Sequence, residues 1–330
     1  MGLNEKFFKS ASGGGVPVGD ENFDIVTYTG NNNTKNITSL NFAPDLVWIK
    51  SRSNGTSHEL NDRVRGQVSR LFSDSNSGQG TVANGFVSLD SNGFSLNNAG
   101  DGGEVNGANR TYVAWCWKAG GAASNITSAS SNVSAAARSA NAEAGFSIAT
   151  YTTNSNSPVV IPHGLDSTPK VALVKNVGGS SDWFWVNTVA TNKGRGFLNN
   201  GNAWDNAGLP TLNSTNITFQ AGDPFSSGAS ALVYFFADVT GYQKIDTFQG
   251  SGGAGKFVST GFQPRFVMIR TTASDNWRMY DAVRGNAVLY PNLSNTEDAA
   301  SHVTFNSTGF TLNSDNSNYN GYTMFYLAIA

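Results

Sequence analysis

The sequence predicts an all-β protein built from three tandem antiparallel β-sandwich modules of the jelly-roll kind, preceded by a short N-terminal arm. One observation is a threefold repeat, in which a base follows a proline by six residues: FAPDLVWIK at 42–50, STPKVALVK at 167–175 and FQPRFVMIR at 262–270. The other is the pattern between these segments, where short alternating runs are separated by Gly, Asn, Ser and Thr, and charged residues are only 13% of the chain.

Each copy of the repeat begins and ends with a characteristic strand. The opening strands alternate apolar and polar residues, as a half-buried strand does: FDIVTYTG at 23–30, FSIATYTT at 146–153 and KIDTFQG at 244–250. The closing strands are apolar on consecutive residues: YVAWCWKA at 112–119, ALVYFFAD at 231–238 and YTMFYLAI at 322–329. Such runs indicate strands that are buried on both faces of a sheet.

These boundaries divide the chain into five segments. The predicted modules span 23–119, 146–240 and 241–330, and each is close to the size at which a β-sandwich can bury its own core. Residues 1–22 form the predicted arm. Residues 120–145 are a Gly, Ala, Ser and Asn tract of low complexity, which is typical of a linker.

Composition argues against several classes of function. The net charge of −2 leaves no basic stripe for nucleic acid, and no segment approaches the roughly 20 apolar residues of a membrane span. The N-terminus carries no apolar run of the kind found in signal peptides. The three histidines stand at non-corresponding positions, away from Cys116 and from carboxylate clusters, so we expect no metal, no cofactor and no enzymatic activity.

A charged turn recurs in two of the copies, as NDRVRG at 61–66 and YDAVRG at 280–285. An arginine beside a glycine can bind an anion, because the backbone allows a ligand to approach closely. The alternative is an internal pair, Asp62 with Arg65 and Asp281 with Arg284, that holds the turn. We favour the internal pair, because repetition between copies points to structure.

Tryptophan provides the best candidate for a contact site. Trp183, Trp185 and Trp277 precede the recurrent turn and align between copies, which indicates core positions. Trp204 stands in GNAWDNAGLP, a loop where the copies cease to match. Because aromatic side chains on polar loops commonly stack on sugar rings, we predict a ligand site at Trp204 with Asn202 and Asp205.

The repeats resemble a family of bacteriophage virion proteins of the tail-fibre or lectin-like kind. The resemblance is carried by Phe23–Gly30, Pro44–Lys50, Asp62–Gly66 and Gly93–Leu96; it covers most of the first module, much of the third and patches of the second. It implies a homotrimeric protein, made in the host cytoplasm and displayed on the virion surface, that meets host-surface glycans or receptors, and no catalytic residues come with it.

A fibre or spike of this kind also needs an attachment to other virion proteins. Phe7 and Phe8 lie between Lys6 and Lys9 ahead of a Gly-rich stretch, so we predict that they anchor the arm in a groove of a partner protein. Two other functions stay open: a capsid decoration or tail component with a purely structural role, and a polysaccharide depolymerase whose carboxylates lie between subunits.

Overall fold

The protein is described here from a computed structural model that covers residues 19–81, 83–98, 104–128, 130–154, 158–220, 228–285, 287–299 and 301–330. In this structure strands account for 45% and helices for 2%, and all the strand pairs described within the sheets are antiparallel, so the predicted all-β fold is confirmed. Within the described residues the strands form six sheets, which fall into three stacked pairs along the chain.

The first pair of sheets follows a one-turn helix, α1 at Gly19–Asn22. Its large sheet has the strand order β1-β9-β3-β4-β5-β6, and its small sheet has the order β2-β8-β7. The strands are β1 Phe23–Thr29, β2 Lys35–Ile37, β3 Leu46–Ser51, β4 Glu59–Asp62, β5 Ser69–Phe72, β6 Gly80–Thr81, β7 Phe86–Asp90, β8 Gly93–Leu96 and β9 Thr111–Trp117. We refer to this pair as module 1.

Module 2 has the large sheet β10-β11-β12-β19-β14-β15-β16 and the small sheet β13-β18-β17. Its strands are β10 Ser124–Asn125, β11 Val133–Asn141, β12 Phe146–Thr153, β13 Val159–Pro162, β14 Val171–Asn176, β15 Phe184–Asn187, β16 Arg195–Phe197, β17 Thr211–Leu212, β18 Asn216–Phe219 and β19 Ser230–Phe236.

Module 3 repeats the arrangement with the large sheet β20-β26-β22-β23 and the small sheet β21-β25-β24. Its strands are β20 Gln243–Gln249, β21 Lys256–Ser259, β22 Phe266–Thr271, β23 Arg278–Asp281, β24 Val303–Asn306, β25 Gly309–Leu312 and β26 Thr323–Ile329, with a short 3₁₀ helix at Asp315–Ser317 before the last strand.

The segment predicted to be a linker is instead part of a sheet. Within 120–145, strands β10 and β11 add to the edge of β12, and β11 pairs with it from Val133↔Thr153 to Asn141↔Phe146. The prediction considered only how little apolar surface these Ala and Ser residues can bury. Backbone hydrogen bonds to a neighbouring strand do not depend on side-chain size, so a low-complexity segment can still form a strand.

The closing strands have two apolar faces because each contributes to two cores. In β9, Tyr112, Ala114 and Cys116 face the small sheet of module 1, whereas Val113, Trp115 and Trp117 face away from it. Six of its seven residues are buried, and the same holds for β19 and β26. The prediction that these strands are buried on both faces is therefore confirmed.

The outward faces of the three large sheets meet in one shared core. Aromatic contacts join every pair of modules there: Trp117 with Phe146, Trp115 with Phe266, and Trp185 with Phe325, at centroid separations of 6.2, 6.2 and 5.6 Å. Each module thus has its own sandwich core and a share of a central one. The sequence analysis treated the modules as separate units and missed this second core.

The segments that follow the recurrent turn repeat one contact at the module boundaries. Trp183 of module 2 donates its indole N–H to the carbonyl of Phe72 in module 1 at 2.9 Å, and Trp277 of module 3 donates to Phe197 in module 2 at 2.7 Å. Phe72 and Phe197 each stand ten residues after the position of the recurrent turn, at Asp62 and Asn187. The segment that follows the turn in one module, which is a short strand and the loop after it, therefore packs on the next module.

The contact between modules 3 and 1 completes the circle. Ser73 Oγ donates to the carbonyl of Pro291 at 2.6 Å, and Arg52 forms an ion pair with Glu297 at 2.8 Å. The loop of module 3 thus meets module 1 as the loop of module 1 meets module 2. Each module thus contacts the next module through one surface and the previous module through a different one. Three such head-to-tail contacts close a ring within a single chain.

The repeated bases after the prolines support these loops. Lys50, Lys175 and Arg270 are fully buried, and each donates to backbone carbonyls. Lys175 Nζ reaches Asn76 of module 1 at 2.9 Å, and Arg270 reaches Phe197 of module 2 at 2.7 Å. Burial lowers the pKa of both lysines to about 8 and that of Arg270 to about 10. The bases are therefore structural caps for loop carbonyls.

Candidate functional site

Trp204, predicted to be an exposed contact residue, lies in the central core with 1% of its surface exposed. Its ring packs against Phe325 and Trp277 of module 3, at 5.3 and 5.7 Å between centroids, and lies 5.9 Å from the guanidinium of Arg270. The prediction is wrong because a polar loop can carry a buried anchor. This loop crosses to module 3, and Trp204 is the apolar side chain that fills the junction.

The two predicted neighbours of Trp204 do not surround a ligand site with it. Asn202 is exposed, and its carbonyl accepts a hydrogen bond from Arg270. Asp205 forms a bidentate ion pair with Arg195, whose Nε and Nη2 donate to the two carboxylate oxygens at 2.8 Å each. The hydrogen bond from Arg195 lowers the pKa of Asp205. Since this carboxylate already has a cationic partner, it stabilises the loop that carries Trp204.

The predicted anchoring residues Phe7 and Phe8 lie outside the described residues. The arm was also predicted to extend to residue 22, and there the structure differs. Residues 19–22 form α1, where the carbonyl of Asn22 accepts from the amide of Lys118 at 2.8 Å. Gly19 approaches the carbonyl of Ala330 so closely that a Cβ would stand 2.9 Å from it. Residues 19–22 are therefore part of the folded body.

The recurrent charged turn is an internal ion pair, as predicted. Asp62 and Arg65 are 2.5 Å apart, Asp281 and Arg284 are 2.6 Å apart, and all four side chains are at most 2% exposed. The neighbouring module also contributes: Tyr234 Oη donates to Asp62 at 2.8 Å, and Trp115 Nε1 donates to Asp281 at 3.0 Å. Because Arg65 and Arg284 are both paired with buried carboxylates at module junctions, they offer nothing to an external anion.

A concave surface on module 3 carries what the Trp204 loop lacks, an exposed aromatic side chain beside polar groups. We call it the tyrosine surface and define it by Tyr290, Tyr319 and Tyr322 together with Asp275 and Arg278. Arg278 lies between two of the rings, 6.0 Å from Tyr290 and 5.9 Å from Tyr319. It forms an ion pair with Asp275 at 2.5 Å and donates to Tyr319 Oη at 3.2 Å. Tyr322 is 52% exposed.

The backbone beneath the tyrosine surface is held by a buried asparagine. Asn318 is fully buried, accepts from the amide of Ser251 at 2.8 Å, and donates to the carbonyl of Gly253 at 3.0 Å. Gly250 passes so close to the chain that a Cβ there would be 2.0 Å from the carbonyl of Tyr319. This position requires glycine, because any larger residue would push the tyrosine turn away.

The protonation states of the surface suit hydrogen bonding. Burial raises the pKa of Tyr319 and of Tyr290, so both phenols keep their proton at neutral pH. Burial by itself would raise the pKa of the adjacent Glu297, but hydrogen bonds from Arg52 and Arg284 outweigh it and lower the pKa. A carboxylate that stays ionised accepts hydrogen bonds but is a poor general acid, so this arrangement is suited to binding.

Sequence reasoning missed the tyrosine surface although a signal was present. LYPNLSN at 289–295 and SNYNGY at 317–322 place tyrosines among Asn, Gly, Ser and Pro, by the same criterion that selected Trp204. Nothing in the sequence shows which of these loops faces solvent and which crosses to another module. That distinction depends on how the three modules pack against one another in the closed ring.

The described residues contain no group of three or more His, Cys, Asp or Glu side chains placed to hold a metal ion. They also contain no helix with the length and apolar character needed to cross a membrane.

Comparison with known proteins finds one family. Residues 19–330 match the family described as a domain of unknown function (DUF7483), and the match begins at the first residue of α1. No curated protein and no solved structure is detectably similar to the chain. Because the match spans all three modules, the protein belongs to the DUF7483 family.

Proposed function

We propose that the protein is a structural component of a bacteriophage virion, a tail fibre or spike displayed on the particle surface, that contacts glycans on the host cell. The observation that carries this proposal is the ring of three sandwiches with a shared core, closed by loops in one sense around the circle. Such a body is stiff, and it presents the tyrosine surface on a rigid support, as a host-contact protein requires.

The proposal includes attachment through residues 1–18, which precede α1 in the sequence. Deleting these residues retains α1 and all the strands of the ring, so we expect the truncated protein to fold but no longer to join particles. The test is to complement a phage that lacks the gene with either version and to quantify the protein in purified particles. Equal incorporation of the truncated protein would show that the attachment lies elsewhere.

The host-contact part of the proposal is tested with purified full-length protein. We expect it to bind intact host cells and members of a glycan panel, and to compete with phage adsorption. A homotrimer stays a prediction, and light scattering should then give three times the chain mass of 34.8 kDa. Since one chain already closes a threefold ring, a monomer in solution would mean that the ring takes the place of the trimer.

A purely structural decoration or tail component is the second candidate. The charged groups of the repeat favour it, since the two turns form buried ion pairs and the three repeated bases donate to backbone carbonyls of the protein itself. It predicts that the protein joins particles yet binds neither cells nor glycans. Glycan binding by the purified protein would decide against it.

A further inference from the structure

We propose that the tyrosine surface binds neutral pyranose glycans, which rests on the proposed host-contact function and names its ligand class. Two clefts lie on either side of Arg278. The smaller, of about 280 Å³, is lined by Asp275, Tyr319 and Tyr322 among others. The larger, of about 730 Å³, is lined by Tyr290 and by the loop 293–298. The larger volume falls within the roughly 300–1,000 Å³ of typical ligand sites.

The aromatic side chains provide the apolar part of such a site. Five large apolar or aromatic side chains are exposed among the described residues, and two of them, Phe257 and Tyr322, are aromatic. Tyr322 lies in a cleft, where its ring meets Tyr319 at 6.4 Å and 77°. Because Tyr319 is set edge to face with Tyr322 and the residue Tyr322 is 52% exposed, a broad face of the Tyr322 ring is open to solvent. The C–H face of a pyranose can stack on such a face, because it carries little polar surface to desolvate.

The rest of the lining is suited to hydroxyl groups. Ser274 and Asp275 border Tyr322 in the small cleft, and Asn276, Asn295 and Thr296 border Tyr290 in the large one. Hydroxyls, amides and carboxylates together offer both donors and acceptors, which a sugar hydroxyl needs since it donates one hydrogen bond and accepts others. An apolar peptide would leave these groups unpaired.

The charges of the two clefts select against acidic sugars. Three carboxylates line them, those of Asp275, Glu297 and Asp298. The nearby cations already have carboxylate partners, because Arg278 pairs with Asp275, and Arg52 and Arg284 pair with Glu297. The guanidinium of Arg278, which lines the larger cleft, is bonded to Asp275 and Tyr319, and the residue is 7% exposed, so it has little capacity left for an anionic ligand. A sialic acid or uronate would meet like charge without a free partner. Neutral hexoses and N-acetylhexosamines avoid this repulsion.

The experiment is to titrate full-length protein on two matched panels. One carries neutral oligosaccharides ending in glucose, galactose, mannose or N-acetylglucosamine, and the other carries the corresponding sialylated or uronate-containing chains. The variants are Tyr322→Ala, which removes the ring, and Tyr322→Phe, which keeps it. Phe257→Ala is the matched control, because this ring is 46% exposed and belongs to β21 of the same module.

We expect wild-type protein to bind neutral chains and Tyr322→Ala to lose about tenfold in affinity, with Tyr322→Phe and Phe257→Ala within about twofold of wild type. All variants should unfold at about the thermal midpoint of wild type, since Tyr322 and Phe257 are 52% and 46% exposed. Unchanged glycan binding by Tyr322→Ala would overturn the assignment of the site but leave the host-contact function standing. Preference for the acidic panel would overturn the ligand class. Failure of wild type to bind cells or any glycan would remove the proposed function, and this assignment with it.

Discussion

For the Trp204→Ala variant, the tertiary structure and the sequence predict opposite effects on ligand binding and on stability. The sequence alone predicts an exposed contact residue, so the variant would lose ligand and keep its stability. The structure predicts the opposite, because the indole is 1% exposed and packs between Phe325 and Trp277. Gly196 lies under the ring, where a Cβ would stand 2.4 Å from it, so no side chain is available to refill the space.

The magnitude follows from these contacts. Truncation of a large buried aromatic costs about 3–5 kcal/mol, and the upper half applies where neighbours cannot collapse into the cavity. Within the described residues the indole N–H of Trp204 has no hydrogen-bond partner, so its loss leaves no buried acceptor unpaired. We therefore expect Trp204→Ala to lower the free energy of unfolding by about 4 kcal/mol, from packing alone.

The assay is urea denaturation followed by circular dichroism, with glycan binding measured below the transition. Trp204→Phe should retain about half of the lost stability, and Phe257→Ala should change it by less than about 0.5 kcal/mol, because that ring is half exposed. A Trp204→Ala protein within 1 kcal/mol of wild type that no longer binds glycans would refute the reasoning and restore Trp204 as a contact residue.

Three further predictions follow from the ring. Because one core joins all three modules, calorimetry should show a single cooperative transition, and three separate transitions would contradict the shared core. Arg284→Met leaves Asp281 buried without its cation and should cost about 3–5 kcal/mol in chemical denaturation; Lys244→Met, which breaks a half-exposed pair, should cost less than about 1 kcal/mol. Burial lowers the pKa of Lys50 and Lys175 from 10.5 to about 8, so the folded state binds fewer protons than the unfolded state between these values. The free energy of unfolding should therefore rise with pH from about 8 towards 10, by on the order of 1 kcal/mol per unit for each lysine, and Lys50→Met should reduce that slope; a slope unchanged by this substitution would contradict the assignment.

Prediction from sequence succeeded where the signal was local or repeated. Alternation in β1 and continuous apolar runs in β9, β19 and β26 predicted strands with one and two buried faces, because burial imposes a period on the side chains. The Asp62 and Arg65 pair was predicted because its recurrence between copies suggested structure. The prediction that 120–145 is a linker failed, because the strand in this segment is stabilised by pairing with a neighbouring strand, which no local sequence pattern records.

The candidate site shows the same limit at the level of single residues. Trp204 and Tyr322 both stand in polar, Gly- and Asn-rich loops, and composition does not separate them. One is buried because its loop crosses to module 3, and the other is exposed because its loop turns back on its own module. Exposure of an aromatic ring is decided by its neighbours in space.

The sequence by itself determined the all-β class, the three repeats and the strands with two apolar faces, since each leaves a periodic mark along the chain. Only the tertiary structure decided that those second faces form one common core, that the loops close a ring, and that the exposed aromatic surface belongs to module 3. The physical reason is that apolar periodicity records how much of a strand must be buried but carries no information about its partner. The partner is chosen by side-chain packing and hydrogen bonds between residues that lie up to 245 positions apart, as Arg52 and Glu297 do.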